Sequence, residues 1–325
     1  MNIFVTGGAG YIGSAAAEAL LKAGHSVTVY DSLVTGHRAA VPARAKFIQA
    51  DLADAASLNS VLSGEKFEAV MHFAAFIEAG ESMKDPGKFF RNNLANSLQL
   101  IEAAKLAGVK RFVLSSTAAV YASSDDPLTE EAPLDPANAY GFTKLAIEQA
   151  LDWYRRIHGF HYAALRYFNA CGAVPGRGEA HQPESHLIPR VLQVPLGKLE
   201  AIHIFGGDYP TPDGTCIRDY IHIADLVSAH LLALEALEEQ DRLIYNIGNG
   251  SGYSNLQVVE AARSVTAHPI PVIIAPRRLG DAPRLVASSA KIQRELGWQP
   301  QHPDLTDIIG SAWEWHHSHP NGYAQ

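Results

Sequence analysis

The 325-residue sequence predicts an α/β fold: a doubly wound parallel sheet of the Rossmann-like type with a smaller mixed α/β substrate-binding domain. Three observations predict it. Short apolar strands alternate with longer helices in the first half of the chain. A glycine-rich turn from Gly7 to Gly13 joins the first strand to the first helix. After Tyr167 the alternation stops, which indicates a second unit.

The predicted strands of the first half are almost continuously apolar, as strands buried on both faces of a parallel sheet are. They cover residues 3–6, 27–31, 47–50, 69–74, 111–115 and 162–167. Helices are predicted between them at residues 11–22, 54–62, 86–107 and 140–158. In the third helix Phe90, Leu94, Leu98 and Ile101 recur at helical spacing and give one apolar stripe.

The second half is less regular. Residues 170–184 and 205–214 are rich in Gly and Pro and are predicted to be irregular. A helix at 224–239 and a strand at 244–247 indicate that the chain returns to the first domain, and another helix is predicted near 256–265. We therefore assign residues 1–167, with a return near 219–248, to a dinucleotide-binding domain. Residues 168–218 and 249–325 form the predicted substrate domain.

Composition excludes several classes of protein. Hydrophobic residues make up 47% and charged residues 18% of the chain, typical of a folded globular protein. The net charge of −8 argues against nucleic acid as a partner, since phosphate binding needs a basic face. Two cysteines are too few for a disulfide framework. No signal segment and no apolar stretch of about 20 residues is found, so we expect a cytoplasmic protein without a membrane partner.

The glycine-rich turn is a candidate phosphate site. Gly7, Gly10 and Gly13 have G-x-x-G-x-x-G spacing between a strand and a helix. Such glycines permit a tight turn, let the backbone approach a pyrophosphate, and let the helix pack on the strand. The phosphates then face the helix N-terminus, where free N–H groups and the helix dipole favour an anion.

Asp31, at the end of the second strand and 18 residues after Gly13, predicts which dinucleotide binds. A carboxylate there accepts a hydrogen bond from a ribose 2′-OH and repels a 2′-phosphate, so NAD is expected rather than NADP. Arg38 is predicted to be a solvated loop residue. Asp51 could contact adenine but is explained almost as well as a turn former. Asn92 is either a cofactor ligand or a helix-surface amide.

Tyr140 and Lys144 are the candidate catalytic pair. Four residues apart on a predicted helix, they share one face. A free phenol, with a pKa near ~10, is a poor base at neutral pH, but a nearby cation favours the phenolate. Thr117, at the end of the fifth strand, could add a hydroxyl. These groups suit removal of a proton from a sugar hydroxyl.

Several motifs together resemble the extended short-chain dehydrogenase/reductase family. They are Thr6-Gly7-Gly8-Ala9-Gly10-Tyr11-Ile12-Gly13, Tyr140-x-x-x-Lys144 and Leu165-Arg166-Tyr167-Phe168-Asn169. Within that family, three further segments resemble the UDP-glucose 4-epimerases: Phe205-Gly206-Gly207-Asp208-Tyr209-Pro210-Thr211, Arg218-Asp219-Tyr220-Ile221-His222 and Pro276-Arg277-Arg278-x-Gly280-Asp281. The resemblance covers nearly the whole chain.

The resemblance implies an isomerase reaction without net redox change. Tyr140 would take the proton of the sugar 4-OH while the C4 hydride passes to tightly held NAD, and the 4-keto sugar would then be reduced on its other face. Lys144 would lower the pKa of Tyr140, and Thr117 would bridge phenol and sugar. By the same matching, the NAD site would include Gly7, Gly10, Tyr11, Ile12, Gly13, Asp31, Asp51, Leu52, Phe73, Ala74, Ala75, Asn92, Tyr140, Lys144 and Phe168. The UDP-sugar site would include Thr117, Asn169, His186, Leu187, Phe205, Arg218, Arg278, Asp281 and Leu285. No metal is expected.

The sequence departs from the family pattern at several positions. Phe73-Ala74-Ala75-Phe76-Ile77 lacks a lysine that some members carry there, and His186 follows Ser185 where some members have an Asn pair. His186 could contact a diphosphate or be a polar loop residue. Leu285 stands where large aromatic residues exclude N-acetylated sugars and small residues admit them. Because leucine is intermediate in size, the sequence does not decide whether N-acetylated sugars are accepted.

Three alternatives remain beside the UDP-glucose 4-epimerase reading. Dehydratase or decarboxylase chemistry needs an acid–base group after Thr117, where Ala118-Ala119 can transfer no proton. A 4-epimerase of UDP-hexosamines, pentoses or uronates differs only in pocket size. A non-enzymatic NAD sensor would need neither Tyr140 nor Lys144. The helices at 86–107 and 140–158 resemble those that pair across the family's two-fold axis, so we expect a homodimer.

Overall fold

The structure, a computed structural model, describes residues 1–122, 124–278 and 281–324; Gly280 of the quoted motif lies outside them. Within this part of the chain, seven parallel strands form the main sheet in the order β3-β2-β1-β4-β5-β6-β11. These strands are β1 Asn2–Thr6, β2 Ser26–Asp31, β3 Lys46–Gln49, β4 Ala69–His72, β5 Arg111–Thr117, β6 His161–Tyr167 and β11 Arg242–Ile247. The strand order reverses at β1, so a crevice opens at the carboxyl ends of β1 and β4.

Helices cover both faces of this sheet and surround the second domain. In chain order they are α1 Tyr11–Lys22, α2 Ala55–Gly64, α3 Ala79–Ser82, α4 Pro86–Phe89, α5 Asn96–Leu106, α6 Ala139–His158, α7 Leu187–Leu192, α8 Ile223–Ala236, α9 Asn255–Thr266, α10 Ala290–Leu296 and α11 Leu305–Ser318. Among the described residues, none of the helices is both long and apolar enough to cross a membrane.

The core lies in two layers because successive strand residues point to opposite faces. Ile3 packs on one face with Leu20 of α1 and Leu226 of α8. Phe4, its neighbour in β1, packs on the other face with Leu100 of α5. Both faces of the sheet are therefore buried, which explains the continuously apolar strands. The predicted fold class, a doubly wound parallel sheet with a smaller domain, is confirmed.

The second domain is built from short strands and helices around its own core. Its strands are β7 Asn169–Cys171, β8 Ile202–Phe205, β9 Ile217–Arg218, β10 Tyr220–His222, β12 Tyr253–Ser254, β13 Val272–Ala275 and β14 Arg284–Leu285. The pairs β7–β10 and β8–β13 are parallel, and β9 lies between β12 and β14. The core includes Val191, Ile204, Val258 and Ile308. Strand β11 joins the main sheet beside β6. The assignment of residues 1–167 and 219–248 to one domain and of residues 168–218 and 249–325 to the other stays a prediction.

Two local predictions were wrong. The helix expected at 86–107 is interrupted by a π-helical turn, Phe90–Ala95, between α4 and α5. The segment after residue 170 is not wholly irregular, because β7 runs to Cys171 beside β10. Arg38 is exposed, in line with the prediction of a solvated residue, although it lies in a 3₁₀ turn and its guanidinium stacks over the Phe47 ring at 4.5 Å.

Candidate active site

The glycine-rich turn packs its backbone closely against the backbone of the segment that follows β4. Gly7 has φ +72°, and a Cβ there would lie 2.5 Å from the Ala74 nitrogen at the end of β4. A Cβ at Gly13 would overlap the Gly7 carbonyl. Neither position can hold a larger residue without moving the turn. The turn therefore presents bare backbone at the N-terminus of α1, and this fits a pyrophosphate.

Asp31 fixes this turn and also faces the crevice. Its two carboxylate oxygens accept hydrogen bonds from Ala9 N and Leu33 N, both at 2.9 Å. Burial raises the pKa of Asp31, and these backbone hydrogen bonds oppose the shift. Each carboxylate oxygen can accept a further hydrogen bond, which suits a ribose hydroxyl.

One large cavity of about 1360 Å³ lies at the carboxyl ends of the strands. It extends from the glycine-rich turn to the second domain, and Tyr140 and Lys144 line it together with Asp31. The other predicted residues along it are Gly7, Gly10, Tyr11, Ile12, Gly13, Asp51, Leu52, Phe73, Ala74, Ala75, Asn92, Thr117, Phe168, Asn169, His186, Arg218, Arg278, Asp281 and Leu285.

Helix α6 and strand β5 bring the candidate catalytic residues together. Asn138 caps α6 by accepting a hydrogen bond from Gly141 N at 2.9 Å, so Tyr140 lies in the first turn. Lys144, one turn later, donates from Nζ to the Ser115 carbonyl of β5 at 2.8 Å. Thr117 is the last residue of that strand. Tyr140, Lys144 and Thr117 therefore face one wall of the cavity.

Burial dominates the electrostatics of this wall. It raises the pKa of Tyr140 to about 12, although the Thr117 hydroxyl opposes the shift. It lowers the pKa of Lys144 to about 8, against the attraction of Glu148. Lys144 is therefore still mainly protonated at neutral pH, and Tyr140 needs a positive charge beside it to act as a base.

Sequence reasoning missed the ion pair that supports Lys144. Glu148, one turn further along α6, pairs with Arg166 of β6 at 2.5 Å, and both are buried. Ser116 Oγ also donates to Glu148, and Arg166 Nη1 donates to Tyr121 Oη at 2.9 Å. The spacing Tyr140, Lys144, Glu148 along one helix face was the available signal.

The π-helical turn sets the position of Asn92. Asn93 donates from Nδ2 to the Phe76 carbonyl at 2.8 Å, and its Oδ1 accepts from Phe76 N at 2.9 Å. Asn92 Nδ2 donates to the same Oδ1, also at 2.9 Å. The turn thereby ties the Phe76 segment to Asn92, which faces the cavity, so Asn92 is not a plain helix-surface amide. Asn93, which makes these hydrogen bonds, was not singled out from the sequence.

A smaller cavity of about 200 Å³ adjoins the large one in the second domain. The predicted residues Leu187 and Phe205 line this cavity and not the large one. Arg278 stacks over the Phe205 ring at 3.8 Å. Arg218 Nη1 donates to the Ala282 carbonyl at 2.8 Å, and Arg218 Nη2 lies 3.8 Å from Asp281. The two guanidinium groups stand where the cavities meet.

The remaining predicted residues have identifiable partners. Asp51 Oδ1 accepts a hydrogen bond from Ala53 N at 2.8 Å, so Asp51 is a turn former, one of the two roles predicted for it. Asp51 also lines the large cavity. Asn169 Nδ2 donates to the Asp219 carbonyl at 2.9 Å. Phe168 and Leu285 pack on the same small apolar cluster.

His186 lies between the cavities but is held by carboxylates. Its Nδ1 is 2.7 Å from Glu179 Oε1 and 2.9 Å from Glu184 Oε1. Burial opposes ionisation of Glu179, but His186 and His181 outweigh it and lower the pKa of Glu179 to about 2. His186 therefore belongs to a partly buried polar cluster that the sequence analysis did not predict.

Comparisons with known proteins agree with this geometry. Residues 3–248 match the family described as NAD dependent epimerase/dehydratase family. The UDP-glucose 4-epimerase of Streptomyces lividans is 50% identical over 321 residues, 98% of this chain and 97% of the relative. A crystal structure of UDP-glucose 4-epimerase, also 50% identical, covers 100% of both chains with a TM-score of 0.97. The UDP-glucose 4-epimerase of Brucella ovis in complex with NAD is 42% identical, covers 96% of this chain and 97% of its own, and has a TM-score of 0.92.

These similarities confirm the resemblance inferred from the motifs. The matched segment contains the glycine-rich turn, Asp31, Thr117, Tyr140 and Lys144. The prediction of NAD as the cofactor agrees with the description of the matched family. The chain belongs to the NAD dependent epimerase/dehydratase family.

Proposed function

We propose that this chain is a UDP-glucose 4-epimerase, which interconverts UDP-glucose and UDP-galactose through a transient 4-keto sugar, with NAD as tightly bound cofactor. One observation carries the proposal. Tyr140, Lys144 and Thr117 line the same cavity as the glycine-rich turn and Asp31. That arrangement puts a candidate proton acceptor beside a dinucleotide cradle. Relatives at about half identity named for this reaction support it.

Tyr140 would hold and return the proton of the sugar 4-OH at its phenolic oxygen. Burial raises its pKa to about 12, so the phenolate needs stabilisation. Lys144, fixed by its hydrogen bond to the Ser115 carbonyl, supplies a positive charge one helical turn away. Thr117 adds a hydroxyl that can bridge the phenol and the sugar oxygen. NAD, when bound, would take up and return the hydrogen of the sugar carbon.

Arg218 and Arg278 would hold the diphosphate of the UDP-sugar. Guanidinium groups meet phosphate oxygens bidentately, and both arginines stand where the cavities join. Phe205 supports Arg278 through its ring, so its contribution is to orient the guanidinium. Asn169, Leu187 and Asp281 line the same smaller cavity, where the uridine part would lie.

The identity of the sugar in the UDP-sugar substrate depends on the size of the residue at position 285. Leu285 lines the large cavity in β14, beside Arg218 of β9. A leucine leaves more room than an aromatic side chain and less than alanine, so UDP-N-acetylhexosamines are the main alternative substrates, with UDP-pentoses and uronates next. A non-enzymatic NAD sensor has no use for the buried Lys144, whose placement costs stability.

The proposal includes a homodimer and a cytoplasmic location. Phe142, Trp153 and Ile157 are exposed at spacings that put them on one side of α6. The Phe90 ring contacts that of Phe142, with centroids 5.9 Å apart, and extends this apolar face. Such a face favours a second copy paired about a two-fold axis. The location rests on the two thiols Cys171 and Cys216, which are free and buried.

Conversion of UDP-galactose to UDP-glucose by the purified protein tests the proposal, with UDP-N-acetylgalactosamine in parallel. Tyr140→Phe should lower kcat by about 10²–10⁴-fold while NAD stays bound. Tyr154→Phe is the matched control, because Tyr154 lies on the same helix and donates to Glu102 at 2.8 Å, away from the cavity. Full activity in Tyr140→Phe would overturn the mechanism. Bound NAD without turnover of any UDP-sugar would favour the sensor.

A further inference from the structure

We propose that Glu179, His181, Glu184 and His186 bind one divalent metal ion of the zinc type at the junction of the two cavities. The inference goes beyond the proposed function and does not depend on it. Each of these side chains offers one ligand atom, and the four atoms all lie within 4.8 Å of one another.

The separations between the ligand atoms are on the scale of a tetrahedral site. Metal–ligand distances of about 2.1 Å require ligand atoms about 3.4 Å apart. His181 Nδ1 lies 3.0 Å from Glu179 Oε1 and 4.0 Å from Glu184 Oε2. His186 Nδ1 lies closer to the carboxylates, at 2.7 Å from Glu179 Oε1 and 2.9 Å from Glu184 Oε1. These separations lie on either side of 3.4 Å, and all four atoms lie within 4.8 Å of one another, so a local adjustment of the loop would place them on one ion.

The donor types also fit. Imidazole nitrogen and carboxylate oxygen are both zinc ligands, and four protein ligands make a closed, structural site. Two carboxylates neutralise the charge of a divalent ion, so the ion can lie in a buried place. Glu179 and Glu184 are 5% and 7% exposed, and His181 is 22% exposed. His186 is the most accessible ligand and gives the ion a route of entry.

Contacts outside the cluster hold the ligands in place. Trp315 Nε1 donates to the Glu179 carbonyl at 3.1 Å, and His37 Nε2 donates to the Ala180 carbonyl at 2.9 Å. Ser185 N and His186 N both donate to Glu184 Oε1, at 2.7 and 2.8 Å, which orients that carboxylate. Such outer contacts are what preorganise a metal site.

The position of the cluster gives the ion a structural role near both cavities. Glu179 and His186 line the two cavities, and the Tyr11 ring of α1 meets His181 edge-on at a centroid distance of 6.4 Å. An ion there would fix the conformation of the residue 179–186 loop, which supplies all four ligands and borders both cavities. Without it, the same atoms are held by hydrogen bonds within the loop, between the histidines and the carboxylates and from backbone N–H groups to Glu184.

Zinc titration of the full-length protein tests the inference. The chain is first treated with a chelator, zinc chloride is added, and bound metal is measured by mass spectrometry after desalting. We expect one zinc per chain, and a higher Tm in zinc than in chelator, since a ligand of the native state stabilises it. His181→Ala combined with Glu184→Gln should lose the stoichiometric zinc and the Tm difference.

His268→Ala is the matched control, because His268 is exposed and its Nδ1 hydrogen-bonds to the neighbouring Pro269 carbonyl. It should keep one zinc per chain. If the folded wild-type protein takes up no stoichiometric zinc, or if the double variant retains it, the inference is wrong. Circular dichroism of each variant verifies that it is folded, and Glu184→Gln alone, which conserves shape, should weaken zinc binding at least tenfold if the double variant does not fold.

Discussion

Lys144 is the residue at which function and stability oppose each other most directly. Burial lowers its pKa from 10.5 to about 8, so its charged form costs the folded state about 3 kcal/mol below pH 8. We predict that Lys144→Met raises the free energy of unfolding at pH 7 by roughly 1–3 kcal/mol and abolishes turnover. Urea unfolding of both proteins measures the first effect.

The sign of its pH dependence provides a second readout. A depressed folded pKa means that the wild-type protein gains stability as the pH rises from about 8 to 10.5, where the lysine becomes neutral. The methionine variant lacks this gain, so its advantage should shrink between pH 7 and pH 10. Lys22→Met, at an exposed helix end, is the control and should show neither effect. A variant less stable than wild type at pH 7 would contradict the argument.

Leu285 gives a prediction about which sugar is turned over. Leu285→Ala enlarges the cavity at its second-domain side and should raise kcat/KM for UDP-N-acetylgalactosamine relative to UDP-galactose by about 10-fold or more. Leu285→Tyr should shift the ratio the other way. Steady-state kinetics with both substrates measure this ratio of kcat/KM values. Equal ratios in all three proteins would show that Leu285 does not face the sugar.

At the scale of the residue, functional residues that lie close together in one helix could be predicted from the sequence. Tyr140 and Lys144 share a face of one helix, so their spacing alone brings them together. Glu179 and His186 could not be connected in this way, because a loop without regular structure has no repeat from which to infer neighbours. The backbone of Glu179 is moreover held by Trp315, more than 100 positions away.

At the scale of the element, the π-helical turn Phe90–Ala95 is the feature that the hydrophobic periodicity failed to predict. Four apolar residues at helical spacing predict a continuous helix, and an inserted π turn leaves that pattern nearly intact. Within the turn, Asn93 satisfies both the N–H and the carbonyl of Phe76. Only tertiary contact with another segment reveals it.

We predict that Asn93→Ala weakens cofactor retention. The change leaves the backbone groups of Phe76 without partners, which costs roughly 1–3 kcal/mol, and frees Asn92 to move. The measurement is the NAD content of the protein after desalting, together with its Tm. Asn59→Ala, at an exposed position of α2, is the control and should leave NAD content unchanged. Undiminished NAD in Asn93→Ala would show that the turn does not support the site.

At the scale of the whole molecule, the main sheet was predictable and the second domain was not. Parallel strands alternating with helices leave few topologies, and buried strands identify themselves by continuous apolar runs. In the second domain, β8 pairs with β13, which lies about 70 positions later in the chain. Strands of two to four residues carry too little pattern to predict such pairing.

The exposed face of α6 leads to a prediction about assembly. Trp153 is 59% exposed and Ile157 66% exposed, and together with Phe142 they form one exposed apolar side of α6. Pairing α6 with its copy about a two-fold axis would bury both, so we expect a dimer in solution. Trp153→Glu with Ile157→Glu would bring like charges together across that axis and should give monomers, measured as molar mass by light scattering after size exclusion.

Ile273→Glu is the matched control for this experiment, since Ile273 is also exposed but lies on β13 of the second domain. It should remain dimeric. The double variant should keep its fold as judged by circular dichroism, because neither side chain belongs to the buried core. A wild-type protein that is monomeric at all concentrations, or a double variant that stays dimeric, would rule out this face as the interface. The exposed apolar residues of α6 would then need another partner.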